Sequence, residues 1–521
     1  MIKQLYPLPD VGLRKQKTKS GIYLYKRGKC YRDENKKVKR TNDTLIGKLD
    51  EETGFLIPNK NYFVIFDKPM PKTHKLSNEY STGYVSCYMN IFRQLGISDI
   101  LLNIFGDEAE LISHLAGYMV PEGNVMEGFK DWAQDHRIPE RFQKNSQRLS
   151  EFFEGIMPVD IEEFKNKWSN SKCFNSAFYA YDVTSISSYS ENIDELELGY
   201  NRDKELLRQI NLSVLLDRNV HLPLLYDWYS GSLNDKTYLP YAIEMMQDTI
   251  DKKISLVMDQ GFHRSETFKD LERRGIEFLT LLPSNLKTYD DLIDKCNAIG
   301  FKHVDRLSNP QKRAKTLDIT LQGLKLKAHV IKDQDLFNQQ LVSFYNDLDR
   351  KEQELKLLQK TKKLVRPGLT ALFNVTQSKD LDLAYEPNNE AIDLAISRLG
   401  FIVLITNHPS LDAETALHVY RKKGLIEKAF DNLKNGLDFS RLRVHSGDRV
   451  EGKLFIGFIA LILRMHMIHC LSSHELTKNI GLKRSIKELK KINTYKGKLR
   501  STTAPLTKMQ KNILTALNIT L

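Results

Sequence analysis

The sequence predicts an α/β fold built on a mixed β-sheet, and three observations lead to that prediction. Between residues 178 and 282 the pattern reads as three strands, a helix, a strand, a helix and a strand. The run ISLVMD at 254–259 is apolar throughout, as expected for a strand that is covered on both faces. A second such run, FIVLITN at 401–407, resumes this character after a polar interval. We therefore expect a sheet that starts with antiparallel strands and continues as an α/β layer.

The elements of this sheet follow one another along the chain. Strands are predicted at FYAYDVTSIS (178–187), LRQINLSVLL (207–216), VHLPLLYDWYSG (220–231), ISLVMD (254–259) and IEFLTLL (276–282), with helices near 236–252 and 265–274. Upstream, aromatic and β-branched residues predict a strand-rich segment at 20–66, and apolar periodicity predicts helices over 86–170. Trp132 and Trp168 in the helical segment are predicted to be core residues.

Residues 284–395 break the pattern, and we interpret them as an insertion into the sheet domain. They contain a predicted strand pair, LDITLQ and LKLKAHVI, followed by a long polar helix near 335–364 that ends before Pro367-Gly368. The resulting domain prediction is a basic, strand-rich region (1–66), a helical, DNA-binding region (67–170), the sheet domain in two parts (171–283 and 396–475), the α+β insertion (284–395) and a basic tail (476–521).

The net charge of +12 is unevenly distributed. Residues 1–48 hold 14 Lys and Arg against four acids, and residues 476–521 hold 11 against one, so each end carries about +10. Two basic ends suit a polyanion such as nucleic acid, because phosphates bind Lys and Arg with counterion release. Solvated tails that serve solubility are the alternative.

Cysteine usage and hydropathy exclude several other classes. The five cysteines are scattered without a paired Cys or His spacing, which argues against a disulfide framework or a zinc site and suits a reducing cytosol. The first residues have no apolar signal core. The most apolar run, LFIGFIALIL at 454–463, is predicted to be a buried helix too short for a bilayer, and no membrane partner is expected. His466 and His469 lie next to it and are predicted to pack rather than to bind a metal.

Three acids stand where catalytic groups are often found. Asp182 lies inside the first predicted strand and Asp259 ends the fourth, and ligands in α/β sheets favour such strand ends. Glu427 lies on a late helix. Taken singly, a strand-end cap, a turn former and a surface charge are adequate explanations. Together, three carboxylates without a nearby Cys or His indicate a hard cation such as Mg²⁺.

The late helix has an unusual polar stripe within HVYRKKGLIEKAFDNLK (418–434). Tyr420, Lys423, Glu427 and Lys434 are spaced by three, four and seven, which on one continuous helix places them within roughly 60° of arc. The other side is apolar and is predicted to pack on the sheet. A solvated face with a Lys423–Glu427 pair explains the helix alone.

The set of motifs resembles the DDE transposases of bacterial insertion sequences, specifically the branch with a Tyr-x2-Arg-x3-Glu-x6-Lys signature. The residues that carry the resemblance are Tyr420, Lys423, Glu427 and Lys434, together with Asp259-Gln260-Gly261-Phe262 and Asp182-Val183-Thr184. The resemblance covers roughly residues 170–475 and includes an insertion before the glutamate. Lys423 departs from the signature, because a lysine lacks the bidentate fork of arginine.

The resemblance implies a ribonuclease-H-like catalytic domain and a defined chemistry. Asp182, Asp259 and Glu427 would be both catalytic residues and ligands of two Mg²⁺ or Mn²⁺ ions, while Tyr420, Lys423 and Lys434 would bind DNA. The enzyme would cleave the ends of its own insertion sequence and transfer the 3′-OH into target DNA. The implied partners are double-stranded DNA and a second protomer, in a bacterial cytoplasm at the nucleoid.

Two other functions remain open at this stage. A ribonuclease-H-like nuclease of the resolvase type would cut without joining, and a domesticated relative would bind DNA without catalysis. Some relatives hold a flipped base with an aromatic residue of the insertion, for which Phe337, Tyr345 and Tyr385 are the candidates here. Arg202, in a predicted turn before the second strand, is a further possible DNA contact.

Overall fold

The computed structural model describes residues 5–18, 21–32, 36–51, 53–68, 79–174, 176–422, 424–496 and 501–520. Two compact units, 1–79 and 80–521, are recognised from the packing of the backbone. The second unit contains the sheet with its surrounding helices, within which the subdivisions predicted from the sequence remain predictions.

The first unit is built on strands, as predicted for residues 20–66. Its elements are β1 (Leu13–Thr18), β2 (Gly21–Lys26), β3 (Cys30–Arg32), β4 (Val38–Arg40), β5 (Thr44–Leu49), β6 (Leu56–Pro58) and helix α1 (Lys60–Ile65). The strands form an antiparallel sheet in the order β1-β2-β5-β6 and a separate hairpin, β3-β4. Leu24, Ile46, Leu56, Tyr62 and Phe63 form its buried core.

The second unit begins with helices, also as predicted. After β7 (Glu79–Ser81) come α2 (Gly83–Gln94), α3 (Ile97–Phe105), α4 (Ala109–Glu122), α5 (Phe129–Asp135), α6 (Ser146–Glu154) and α7 (Pro158–Ser169). Trp132 and Trp168 are both buried, which confirms their prediction as core residues. The indole of Trp168 donates a hydrogen bond to the carbonyl of Pro223 at 3.0 Å and so ties α7 to the sheet.

The main sheet has eight strands and is mixed, as the sequence predicts. Its strands are β8 (Phe178–Ser187), β9 (Gln209–Asp217), β10 (Pro223–Ser230), β11 (Ser255–Met258), β12 (Glu277–Leu281), β13 (Lys312–Leu321), β14 (Leu324–Asp333) and, after the hairpin of β15 (Phe373–Gln377) and β16 (Leu383–Pro387), β17 (Phe401–Thr406). Their order is β10-β9-β8-β11-β12-β17-β14-β13. The first three are antiparallel, whereas β11 runs parallel to both β8 and β12. Between them lie α8 (Asp235–Thr249) and α9 (Ser265–Arg273).

The segment 284–395 takes part in the main sheet. The predicted strand pair is present as β13 and β14, and β14 pairs with β17 along six residues. The rest of the segment comprises α10 (Lys287–Ile299), the 28-residue α11 (Gln334–Thr361), the β15–β16 hairpin and α12 (Asn389–Ser397). Leu355 of α11 packs against that hairpin in a small core of its own.

The C-terminal part consists mainly of helices. Its elements are α13 (Ala413–Arg421), α14 (Gly424–Asp431), a π-helical turn (Asn432–Gly436), α15 (Val450–Ser473), α16 (Leu482–Leu489), β18 (Asn493–Lys496), β19 (Ser501–Thr503) and α17 (Lys508–Ala516). The apolar run at 454–463 is the central part of α15, which extends beyond it on both sides to 24 residues. By length and composition Gly447–Ser473 could span a membrane, with a mean hydropathy of 2.0, but 72% of the window is buried inside the protein. The helix is therefore a core helix, which confirms the predicted burial.

Gly452 of α15 lets this central helix approach α6 closely. A Cβ atom at Gly452 would lie 2.3 Å from the carbonyl oxygen of Phe153. We expect Gly452→Ala to lower the free energy of unfolding by about 2 kcal/mol, because overpacking forces backbone shifts. Chemical denaturation measures the change. Gly368→Ala is the matched control, since a Cβ atom there meets nothing within 4 Å, and equal losses in both variants would contradict the packing argument.

Candidate active site

Strand register brings the two predicted aspartates together. In the parallel pair β8–β11, Val257 lies opposite Ala180, and two residues further along each strand come Asp259 and Asp182. Because side chains alternate with a period of two, both aspartates continue the face on which Ala180 and Val257 lie. The two carboxylates that the sequence places 77 residues apart are thus neighbours at one edge of the sheet.

Helices α13 and α14 carry Tyr420 and Glu427, respectively, to this face of the sheet. Ala416 and Leu417 of α13 share a buried cluster with Val257, and α14 packs against β8 through its apolar side. Burial raises the pKa of Tyr420, and the negative charges of Asp259, Glu427 and Asp182, in that order, raise the pKa further. One hydroxyl therefore experiences all three predicted catalytic carboxylates.

The predicted continuous helix is wrong, because it is interrupted twice. Helix α13 ends at Arg421, α14 begins at Gly424, and a π-helical turn starts at Asn432. Each change alters the angular phase, so Tyr420, Glu427 and Lys434 do not share the arc of one ideal helix. Lys423 lies outside the residues that the structure describes. The predicted apolar side is confirmed, since Ile426, Ala429, Phe430 and Leu433 are buried.

Asp182 has a cationic neighbour that the sequence did not assign to the site. A guanidinium nitrogen of Arg202 lies 3.8 Å from Oδ1 of Asp182 and 2.9 Å from Oδ2 of Asp235. Tyr229 donates its hydroxyl to the other oxygen of Asp235 at 2.7 Å. The only sequence signal was the turn that contains Arg202, which left its position relative to Asp182 undetermined.

Lys434 is paired within the protein. Its ammonium lies 2.5 Å from the carboxylate of Asp203, and its side chain is 11% exposed. Two residues further along the same loop, Glu205 accepts two hydrogen bonds from Arg441, at 2.8 and 2.9 Å. The loop between β8 and β9 thus reaches the site from one side and holds the predicted phosphate ligand Lys434 in an ion pair.

Asp259 is positioned by a short 3₁₀ turn formed by the rest of its motif. Its Oδ1 accepts a hydrogen bond from the backbone N–H of Gln260 at 2.7 Å. Phe262 is buried, and its ring centroid lies 5.4 Å from that of Tyr181. Gly261 borders open space, so no close contact requires a glycine there in the free protein. The motif therefore anchors the carboxylate through Phe262.

The oxygen ligands of the site suit a hard divalent cation, but in the free protein these side chains are too far apart to bind one ion together. Asp182, Asp259 and Glu427 offer only carboxylate oxygens, the ligands that Mg²⁺ and Mn²⁺ prefer. Within the described ranges, no group of three or more His, Cys, Asp or Glu side chains is close enough to hold one ion. His469 and His466 lie elsewhere, with Nδ1 of His469 3.0 Å from Nδ1 of His221 and Nε2 of His466 3.5 Å from the sulfur of Cys470.

The mixed sheet and the converging carboxylates indicate a class, and comparison with known families assigns it. Residues 176–463 match the family described as "Transposase DDE domain", which is more than half of the chain. The chain therefore belongs to the DDE transposase domain family, and by class it is a DNA transposase. Members of this family are nucleases and transesterases that generally use divalent metal ions and act on DNA.

Comparison with individual proteins adds little to this assignment. A solved structure described as "Cryo-EM structure of piggyBac transposase synaptic complex with hairpin DNA" is similar at 11% identity and a TM-score of 0.34, over 77% of this chain and 69% of that one. At this distance the likeness carries no argument about the site. No curated protein matches the chain.

Proposed function

We propose that this protein excises an insertion sequence by cutting at its ends and joins the freed 3′-OH to target DNA. The observation that carries the proposal is that the register of β8 and β11 makes Asp182 and Asp259 neighbours, and that these two carboxylates and Glu427 all raise the pKa of Tyr420. The three residues come from β8, the turn after β11 and helix α14, and a purely structural role would not require three like charges around one half-buried phenol.

The sheet supports a ribonuclease-H-like catalytic domain within this proposal. The order β10-β9-β8-β11-β12, with an antiparallel beginning and parallel continuation, is the one that sets the first and fourth strands side by side. In open α/β sheets such ends are where ligands bind. The segment 284–395, with its long helix α11, stands as the insertion of the signature-bearing branch.

Asp182, Asp259 and Glu427 would hold two divalent ions, Mg²⁺ or Mn²⁺. When bound, such ions supply the positive charge that lowers the pKa of an attacking hydroxyl and stabilises the leaving oxygen of a phosphodiester. Asp182 and Asp259 are held in register by the sheet, whereas Glu427 is carried by a separate short helix. A small movement of that helix would complete the ligand set on DNA binding.

The remaining residues would position the phosphates beside the cut. A tyrosine hydroxyl is protonated at neutral pH, and that of Tyr420, whose pKa is raised further, would donate a hydrogen bond to a phosphate oxygen. Lys434 would exchange Asp203 for a phosphate, and Arg202 would exchange Asp182 and Asp235 in the same way. Lys423 is proposed as a further phosphate contact on the signature alone.

Because Lys434 is paired with Asp203, substitutions of these two residues should change the affinity for DNA in opposite directions. Lys434→Gln removes a charged phosphate contact and is expected to weaken binding of element-end DNA roughly 10-fold. Asp203→Asn releases the lysine and is expected to strengthen binding roughly 3-fold, the value of a partly exposed ion pair. Fluorescence anisotropy measures both. Lys428→Gln, an exposed lysine of α14, is the control, and weaker binding by Asp203→Asn would refute the exchange.

A strand-transfer assay tests the proposed function. The DNA that flanks the reading frame supplies the substrate, since inverted repeats on both sides would be the element ends. Precut ends with a free 3′-OH should be joined to a target plasmid in the presence of Mg²⁺ or Mn²⁺. Hydrolysis without any joined product would favour a nuclease of the resolvase type, and binding without either reaction would favour a domesticated DNA-binding protein. A dimer that bridges two ends is part of the proposal, and sizing of the DNA complex tests it.

A further inference from the structure

The edge of the main sheet carries a row of cations that the proposed chemistry does not use. Arg306 pairs with Arg313 in an isolated antiparallel bridge, and Arg313 pairs with Lys332 across β13–β14. We call these three residues the cationic row. Residues directly opposite one another project to the same face of a sheet, so the three positive side chains are neighbours. None of them forms an ion pair with a carboxylate among the residues that the structure describes.

The row borders a cavity of about 410 Å³. The lining includes the two cations Arg313 and Lys332, the amides of Asn297, Gln311 and Gln334, and the ring of Phe301, and it includes no carboxylate among the described residues. By contrast, Lys315 on the same face of β13 is neutralised by Asp305 at 2.8 Å. Lys315 thus has a carboxylate partner, whereas no described carboxylate pairs with Arg313 or Lys332.

Like charges that face each other across strands destabilise a sheet. The ammonium of Lys332 lies 5.5 Å from the ring centroid of Phe401, which offsets a part of this cost for one member only. A ligand with spaced negative charges would neutralise all three cations, and the amides of the cavity could donate hydrogen bonds to its oxygens. Phosphate is the chemistry that matches both features.

Lys332 of the cationic row lies at the same end of the sheet as the proposed catalytic aspartates, namely where β11 and β14 terminate. Strand β14 runs parallel to β11, because each is related to its neighbour through the antiparallel pairs β12–β17 and β17–β14. Lys332 is the penultimate residue of β14, and Asp259 follows the last residue of β11. Ile331 shares the cluster of Val257, so Lys332 points to the opposite face. Three to four strand spacings separate them, roughly 15–20 Å.

We propose that the cationic row and its cavity bind the DNA backbone at a second place, along the rim of the sheet. The distance corresponds to about four to six base pairs of duplex from the cleaved bond. The proposal rests on the proposed function for the identity of the polyanion. The β13–β14 edge would then bind DNA away from the cleaved bond, in addition to the basic segments 1–48 and 476–521.

The salt dependence of DNA binding tests this contact in the full-length protein. The probe is a 30-base-pair duplex of arbitrary sequence, and the variant is Arg313→Gln with Lys332→Gln. Because each phosphate contact contributes about 0.9 to the slope of log affinity against log salt, the slope should fall by about 1.8. Lys325→Gln, an exposed lysine at the far end of the same hairpin, should leave the slope unchanged.

Four results would overturn the proposal. The slope could be unchanged in the double variant, or it could fall equally in Lys325→Gln, which would indicate a general charge effect. Inorganic phosphate at millimolar concentration could compete fully with the duplex, which would indicate a site for the free anion. The melting temperature of the double variant should not fall, because a like-charge pair is removed, and a marked fall would show that the two cations are structural.

The outcome can be separated from that of the proposed function. A protein that joins DNA but keeps its salt slope in the double variant disproves the second contact alone. A protein that neither cuts nor joins but loses slope in that variant retains the contact and disproves the transposition chemistry.

Discussion

Asp259→Asn is expected to lower end cleavage by more than about 100-fold while DNA binding is retained. Loss of a residue that hydrogen-bonds to a metal ligand commonly lowers activity or metal affinity 10- to 100-fold, and loss of a ligand itself should lower them more. Asparagine has the same shape and can still accept the hydrogen bond that Gln260 donates, so the 3₁₀ turn should persist. The change therefore removes a charge without removing the local structure.

The ion dependence of thermal stability gives a readout that does not require turnover. Divalent ions that bind only the folded protein raise its melting temperature by mass action. Wild-type protein should respond to Mn²⁺, and Asp259→Asn should respond less. Asp248→Asn, an exposed carboxylate of α8, is the matched control. Unchanged cleavage together with lost DNA binding in Asp259→Asn would contradict the assignment.

Lys453 is expected to produce the largest pH effect on stability. It is 1% exposed within α15, its ammonium donates to the carbonyl of Asn124 at 2.5 Å, and burial lowers its pKa to about 7. In the unfolded chain the lysine keeps its ordinary pKa near 10.4. Between these two values the unfolded state binds more protons, so stability rises with pH across that window. Below pH 7 the full cost, roughly 5 kcal/mol, is present.

Lys453→Met should flatten this part of the stability profile. Urea denaturation at pH 6.5 and pH 9.5 measures it, and the informative quantity is the difference between wild type and variant at each pH. Relative to wild type, the variant should be more stabilised at pH 6.5 than at pH 9.5. At both pH values the carbonyl of Asn124 loses its hydrogen bond, which lowers the free energy of unfolding by about 1–3 kcal/mol. Lys360→Met, on the exposed side of α11, should show no such difference. An identical pH slope in wild type and Lys453→Met would disprove the depressed pKa.

Much of the fold could be predicted because it is encoded in local pattern. The strands β8 to β12 and their helices follow from alternation and apolar runs, each of which is a property of a few consecutive residues. The pairing of β14 with β17 could not be predicted in this way, since about 70 residues lie between the strands and no local pattern specifies a partner. For this reason the 284–395 segment did not reveal its place in the main sheet.

The candidate site shows the same division. The positions of Asp182 and Asp259 follow from their strands, and Glu427 from its spacing to Tyr420. The interruption between α13 and α14 could not be seen, because the apolar residues of both helices continue one pattern through it. The ion pair of Lys434 with Asp203 joins residues 231 apart in the sequence, so only the folded chain brings it to light.

Because α14 is short, Glu427 is held less firmly than Asp182 and Asp259, which lie in a strand of the sheet and directly after one. Asp182 lies inside β8, which is paired with β9 and β11, and Asp259 directly follows the last residue of β11. Glu427 lies on the eight-residue helix α14, which is separate from α13 and is followed by a π-helical turn. In that turn the side-chain oxygen of Asn432 accepts a hydrogen bond from Arg464 at 2.7 Å. Such an element tilts at the cost of few backbone bonds. The proposed movement of Glu427 towards Asp182 and Asp259 would therefore need only a tilt of this short helix, with the main sheet unchanged.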